Sequence, residues 1–140
     1  MDKPTMDLLI NVDVDDLAKA ITFYEQAIGL QVSRRFGSFG AEMVGASSPV
    51  YLLMKQGGTK PTVATDEVRR YSRHWTPVHV DFVVPAIEAA VARAKKAGAI
   101  CEDDIQTHRW GRIAHMADPF GHGICLIEFL GRGYDEIADK

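Results

Sequence analysis

The segment Pro77-Val78-His79-Val80-Asp81-Phe82-Val83-Val84 decides how this chain is read. Its apolar residues alternate: Val78, Val80, Phe82 and Val84 fall on one side, His79 and Asp81 on the other. A strand sends successive side chains to opposite faces, so one face can be buried while the other shows an imidazole and a carboxylate. The same alternation occurs near the start, where Leu8, Ile10, Val12 and Val14 interleave with Leu9, Asn11 and Asp13. Each of these strands leads into a helical pattern that ends at a glycine.

Working outward, the first strand covers residues 6–14. Asp16 is suited to cap a helix whose buried stripe is Leu17, Ala20, Ile21, Tyr24 and Ile28. Gly29 then supplies the left-handed residue that ends it. Three short strands follow at 30–36, 39–44 and 50–55, separated by Gly/Ser/Pro turns. In the second half Pro85 opens a helix carrying Ile87, Ala90, Val91 and Ala94, and Gly98 closes it. Strands are expected at 99–105, 111–117 and 122–130. The last two are joined by Asp118-Pro119-Phe120-Gly121, which has the residues of a type I turn. Both halves thus read strand, helix, strand, strand, strand: a βαβββ unit in tandem. The fold expected is α+β, two βαβββ modules (6–55 and 77–130) forming a curved mixed-sheet cup with helices outside, in one domain spanning 1–140.

Residues 56–76 are polar and contain Arg69, Arg70, Arg73 and His74. They read as a solvated connector, with a possible helical turn over 68–75; the alternative is a lid or rim that attracts an anionic ligand. The tail, 131–140, reads as polar and only partly ordered.

Composition narrows the function. The 140 residues are 46% hydrophobic and 25% charged, with a net charge of −3. That is an ordinary globular chain with no electrostatic case for nucleic acid or an anionic membrane. No apolar run approaches the ~20 residues of a membrane helix, and Met1-Asp2-Lys3-Pro4 does not resemble a signal peptide, so a cytoplasmic location is expected. Cys101 and Cys125 form no Cys-x-x-Cys pair and read as buried thiols.

Strand parity sends Asn11 and Asp13 to the face opposite the first helix, and His79, Asp81 and Val83 to the corresponding face of the second half. His79 and Asp81 form the best chemical pair, because a carboxylate two residues along a strand can orient an imidazole. If Ala117 pairs with His122 and Ala114 with Cys125, then Arg112, Ala114 and Met116 share the face of Cys125 and Ile127. His115 and His122 then fall on the other side and read as structural or surface residues. A bulge at the turn reverses that assignment. Arg112 would hold an anionic group, and Tyr51 and Trp110 would form aromatic walls.

The chain resembles the vicinal-oxygen-chelate superfamily, which includes glyoxalase I, bleomycin-resistance and extradiol-dioxygenase types. The resembling residues are Asp16-Leu17, Phe23-Tyr24, Ile28-Gly29, His79, Ala97-Gly98, Asp118-Pro119-Phe120-Gly121 and the strand 124–128. Together they span about residues 6–130. In metal-dependent members the resemblance implies four ligands, from the first and last strands of each module. They fall on Leu9, on Leu52 or Leu53, on His79 and on Cys125, so only His79 matches. The expectation is therefore a protein that binds a small organic molecule in the cup, with Asn11, Tyr51, His79, Asp81, Trp110, Arg112 and Cys125 lining it. No cofactor is expected, and a divalent metal is disfavoured. The alternative is a divergent lyase, isomerase or dioxygenase-like enzyme using His79, with Asp81, as general base or metal ligand. Resemblance also implies a homodimer.

Overall fold

The computed structural model describes residues 5–139; the N-terminal Met1-Asp2-Lys3-Pro4 and the tail's Lys140 lie outside the described residues. The element order is β1 (Ile10–Val14), α1 (Leu17–Ile28), β2 (Gln31–Phe36), β3 (Gly40–Val44) and β4 (Val50–Met54). Then come β5 (Val80–Val83), α2 (Ile87–Ala97), β6 (Ile100–Cys101), β7 (Gln106–Thr107), β8 (Gly111–Ala117) and β9 (Gly123–Phe129). These are two βαβββ modules, and the chain divides into two compact units at residues 70–71, with residues 26–28 grouped with the second.

In the first unit the sheet runs β1-β4-β3-β2, with β1 and β4 parallel and the remaining pairs antiparallel. Asp16 caps α1 as its sequence suggests, accepting the Lys19 amide at 3.1 Å. Gly29 ends the helix at φ 89°, and its amide and that of Leu30 close onto the last turn. Val14, Ala41, Met43, Val50 and Leu52 fill the buried side of the strands. On the other side, register places Arg34, Glu42, Tyr51 and Asn11 in one row. Arg34 grips Glu42 with two nitrogens at 2.9 and 2.8 Å, and the Tyr51 hydroxyl donates to it at 2.7 Å.

The connector is not a solvated linker at Arg69 and Arg73, while Arg70 is exposed. Arg69 donates to Asp13 at 2.7 Å and to Lys60 O at 3.0 Å, and its backbone pairs with Gly58 and Thr59. Residues 68–75 form no helical turn.

In the second unit the sheet runs β5-β9-β8-β6, with β7 also on β8. The expected strand at 99–105 is reduced to β6, and β7 begins only beyond it; between them lie Glu102–Ile105, of which Glu102 and Asp103 turn their side chains to Trp75 and His115. Ile87, Ala90, Val91 and Ala94 bury α2 against β8 and β9. Helix α2 starts at Ile87, one residue after its N-cap Ala86, and so later than Pro85 suggests. Ala86 has no capping oxygen. Glu128 of β9 replaces it, accepting the Ile87 amide at 2.9 Å, where a carboxylate also favours the helix's positive end. The tail is structured: a 3₁₀ turn, Gly133–Glu136, brings Tyr134 within 4.8 Å of Phe129 and 5.2 Å of Trp110, ring to ring.

The Arg34 hydrogen bonds, and then that of Tyr51, hold the Glu42 carboxyl down at about 2, against an ordinary 4.5. A carboxylate lowered on folding adds stability above the unfolded value, and this is lost as pH falls toward the folded one. Glu42→Gln should therefore melt below wild type at neutral pH, and the gap should close as pH falls from about 4.5 to about 2. Circular-dichroism melts across that range check this; a gap independent of pH would assign the effect to packing instead.

Candidate functional site

The β8–β9 turn sets the site. Asp118 O accepts the Gly121 amide at 3.3 Å, as in a type I turn, and Gly121 follows at φ 82°. Asp118 N then donates to His122 O at 2.9 Å, while its carboxylate takes the Phe120 and His122 amides at 2.8 and 3.0 Å. A type I turn followed by a left-handed glycine is the bulged hairpin loop. It adds one residue relative to the simple pairing, so Ala117 faces Gly123, and His115 rather than Ala114 faces Cys125.

A one-residue shift moves every side chain of a strand to the other face. His115, expected away from the site, shares the face of Cys125. Arg112, Ala114 and Met116, expected on the site face, lie on the α2 side. Ala114 and Met116 are fully buried there, and Arg112 pairs with Glu88 of α2 at 2.8 Å. Arg112 is thus a helix-side ion pair and not a ligand residue of the site. β5 pairs with β9 so that Asp81 stands beside Cys125. Asp81, Cys125 and His115 thus form one row across three strands, on the face opposite α2.

His79 lies just before β5, its Nε2 3.2 Å from Asp81 Oδ1, and both side chains are about one-third exposed, at 37% and 35%. Cys125 is buried beneath them. Burial first, then the charge of Asp81 and a hydrogen bond to it, push the Cys125 thiol up to about 12. At neutral pH it is a neutral thiol and a poor nucleophile. The donor atoms of His79, Asp81 and Cys125 lie within 4.8 Å of one another, the one such group of three among the described residues.

The last connector residues form a wall. Trp75 donates its indole N–H to Glu102 Oε1 at 2.8 Å, and Arg73 binds the same carboxylate while its guanidinium sits 4.4 Å from the indole ring. The Arg73 hydrogen bond lowers the Glu102 carboxyl below its ordinary value. The backbone is fixed by His74 N to Gly121 O at 3.0 Å and a parallel bridge from His74 to His122. Trp75 lies so close to Gly123 that a Cβ there would be 2.5 Å from the ring. Its edge meets His79 at 5.8 Å and His115 at 5.9 Å between ring centroids. Asp103 holds His115 twice, through the backbone amide at 3.3 Å and Nδ1 at 2.9 Å.

Of the residues singled out from sequence, His79, Asp81 and Cys125 come together. Trp110 is at another part of the second unit, stacked on His108 at 5.5 Å and packed against Tyr134. Tyr51 and Asn11 belong to the first unit, and Tyr51 is engaged by Glu42. Sequence reasoning missed Trp75, His115 and Asp103. The signal for His115 was Gly121, the left-handed position of a bulged loop; nothing local marks the other two.

The glyoxalase-like domain family model matches residues 9–127. This chain belongs to the glyoxalase-like domain family. Uncharacterised proteins of Mycobacterium bovis and Mycobacterium tuberculosis are each 29% identical over 112 residues, covering 78% of this chain and 74% and 66% of theirs. A glyoxalase-related enzyme from Fulvimarina pelagi superposes with a TM-score of 0.68 at 17% identity, covering 89% of this chain and 88% of that one. A fosfomycin resistance protein from Listeria monocytogenes gives 0.66 at 15% identity, covering 93% and 96%. The fold is that of the vicinal-oxygen-chelate superfamily. The four-ligand metal pattern of that superfamily does not fit this glyoxalase-like protein. Leu9 and Leu53 offer no donor atom, and Leu52 is fully buried in the first unit's core.

The Trp75 wall predicts the effect of one methyl group. Gly123→Ala should destabilise by about 1–3 kcal/mol, the usual range for overpacking. It should also shift the Trp75 emission, read in a Trp110→Phe background. Adding Trp75→Ala should remove most of the penalty. Equal penalties with and without Trp75 would place the strain in the backbone.

Proposed function

We propose that this glyoxalase-like protein binds a small organic molecule on the second unit's face opposite α2, with His79 as its principal polar contact. One observation carries the reading: a partly exposed imidazole with Nε2 3.2 Å from Asp81, above a buried neutral thiol and beside the indole edge of Trp75. The arrangement orients one imidazole nitrogen and leaves the other to meet a ligand. The apolar edge of Trp75 supplies contact area without a second charge. Arg112 and Trp110 take no part, so the ligand needs neither a strong anion nor a large flat ring.

A thermal-shift panel of small metabolites tests this. A ligand at about a hundredfold over its Kd should stabilise the protein by about 2.7 kcal/mol. His79→Ala should weaken that ligand about tenfold, the cost of one good hydrogen bond to an ionisable group. Unchanged stabilisation in His79→Ala would sink the assignment.

A second reading rests on the three converging donors. We propose, as the alternative, a divergent enzyme of the superfamily in which His79, Asp81 and Cys125 hold a divalent ion of their own. The nitrogen, oxygen and sulfur set favours zinc over magnesium or calcium. Titrating untagged protein with cobalt(II) tests it directly. A sulfur-to-cobalt charge-transfer band that vanishes in Cys125→Ser supports the ion; no band at stoichiometric cobalt removes it.

A further inference from the structure

The surroundings of His115 are those of a working imidazole. We propose that His115, fixed by Asp103, is a second ligand-contacting residue, so that the site takes a short-chain molecule with a hydrogen-bond donor at each end, such as an α,ω-diol. The inference rests on the binding reading above and extends it from one polar contact to two.

Asp103 spends both carboxylate oxygens on His115, taking the backbone amide and Nδ1. A carboxylate only accepts, so Nδ1 carries the hydrogen and Nε2 is the nitrogen left over. Asp103 is itself held, by Gln106 Nε2 on Oδ2 at 3.1 Å and by the Cys101 thiol on its carbonyl at 3.0 Å. The dyad is therefore a fixed arrangement and not a loose surface pair. The His115 side chain is 34% exposed, and Nε2 has no hydrogen-bond partner among the described residues. A histidine serving only the core would be covered and have both nitrogens engaged.

His79 repeats the pattern: one nitrogen is near Asp81, and the ring is open to the same degree. Two imidazoles, each beside a carboxylate, thus stand on one face. Asp81 and His115 are two strand spacings apart across β9, about 10 Å between backbones. Both imidazoles touch Trp75, so their ring centroids lie within about 12 Å of each other. Between them are the covered thiol of Cys125 and the indole edge. Chemically this is a polar group, an apolar span and a second polar group. With the ring hydrogen on the side of the aspartate, each remaining nitrogen accepts from a hydroxyl. A ligand with matching ends and a short hydrocarbon middle engages both.

The test compares two-ended and one-ended probes. α,ω-Diols of increasing length are titrated calorimetrically against the full chain, with mono-alcohols of equal length as controls. Wild type should bind the best two-ended probe about tenfold more tightly than its one-ended control. His115→Gln should abolish that advantage and leave the one-ended probe unchanged; a merely structural role would weaken both together. Should His115→Gln fail to fold, long-range proton–nitrogen spectra of wild type give the same answer, because the His115 Nε2 resonance must move on adding the two-ended probe. A two-ended advantage that survives His115→Gln, or a still resonance, overturns the inference and leaves the His79 reading intact. No binding by any probe, together with no hit in the metabolite panel, overturns both; a hit in that panel with no preference for two-ended probes overturns only the inference.

Discussion

The Asp118 carboxylate accepts two backbone amides inside one loop, and the order of the second unit follows from that. With Phe120 and His122 both donating to Oδ1, and Gly121 in the left-handed region, the chain inserts one extra residue before β9 begins. Every cross-strand pair of β8 and β9 is then displaced by one position. Ala114, Met116, Ile124 and Leu126 turn toward α2, where their burial stabilises the unit. His115 and Cys125 turn the other way. The register that builds the core also builds the site, and neither could change alone.

The same loop receives the end of the connector. Gly121 O accepts the His74 amide, and the missing side chains at Gly121 and Gly123 let Ser72 and Trp75 approach their backbones. The Arg73–Glu102 pair and the indole N–H then fix the approach from the β6–β7 side. A partly exposed salt bridge contributes little by itself. Here one carboxylate orients a guanidinium and an indole that lie face to face, so its effect is geometric. The shortening of the expected 99–105 strand has a reason in this. Glu102 and Asp103 leave the sheet pairing and turn their carboxylates to Trp75 and His115.

Much of the fold was legible in the sequence. Period-2 alternation, helical spacing and the glycines at 29 and 98 depend only on local geometry, and the helices end where those glycines stand. The pairing of His79 with Asp81 was legible for the same reason, since residues two apart on a strand share a face. What failed depended on register or on distant partners. Arg112 was placed on the wrong face because the turn was read without its bulge, although Gly121 signalled one. Arg69 and Arg73 were read as solvated, because nothing near them in sequence reveals Asp13 or Glu102. The start of α2 shows the same limit. Its cap is Glu128, 41 residues away, and Pro85 was a plausible local substitute.

The two units place their charges differently, and this decides where chemistry can occur. In the first, Glu42 takes three hydrogen bonds from Arg34 and Tyr51, and Asp13 pairs with Arg69. These carboxylates serve the fold. In the second, Asp103 holds the His115 imidazole and Asp81 lies beside that of His79, and both rings remain partly open. Cys125 lies between them, yet burial and the Asp81 charge keep its proton in place near neutral pH, so without a bound ion it cannot act as a nucleophile. The binding proposed above therefore rests on the two imidazoles. Asp103 fixes the orientation of His115, Asp81 stands beside His79, and Trp75 contacts both rings.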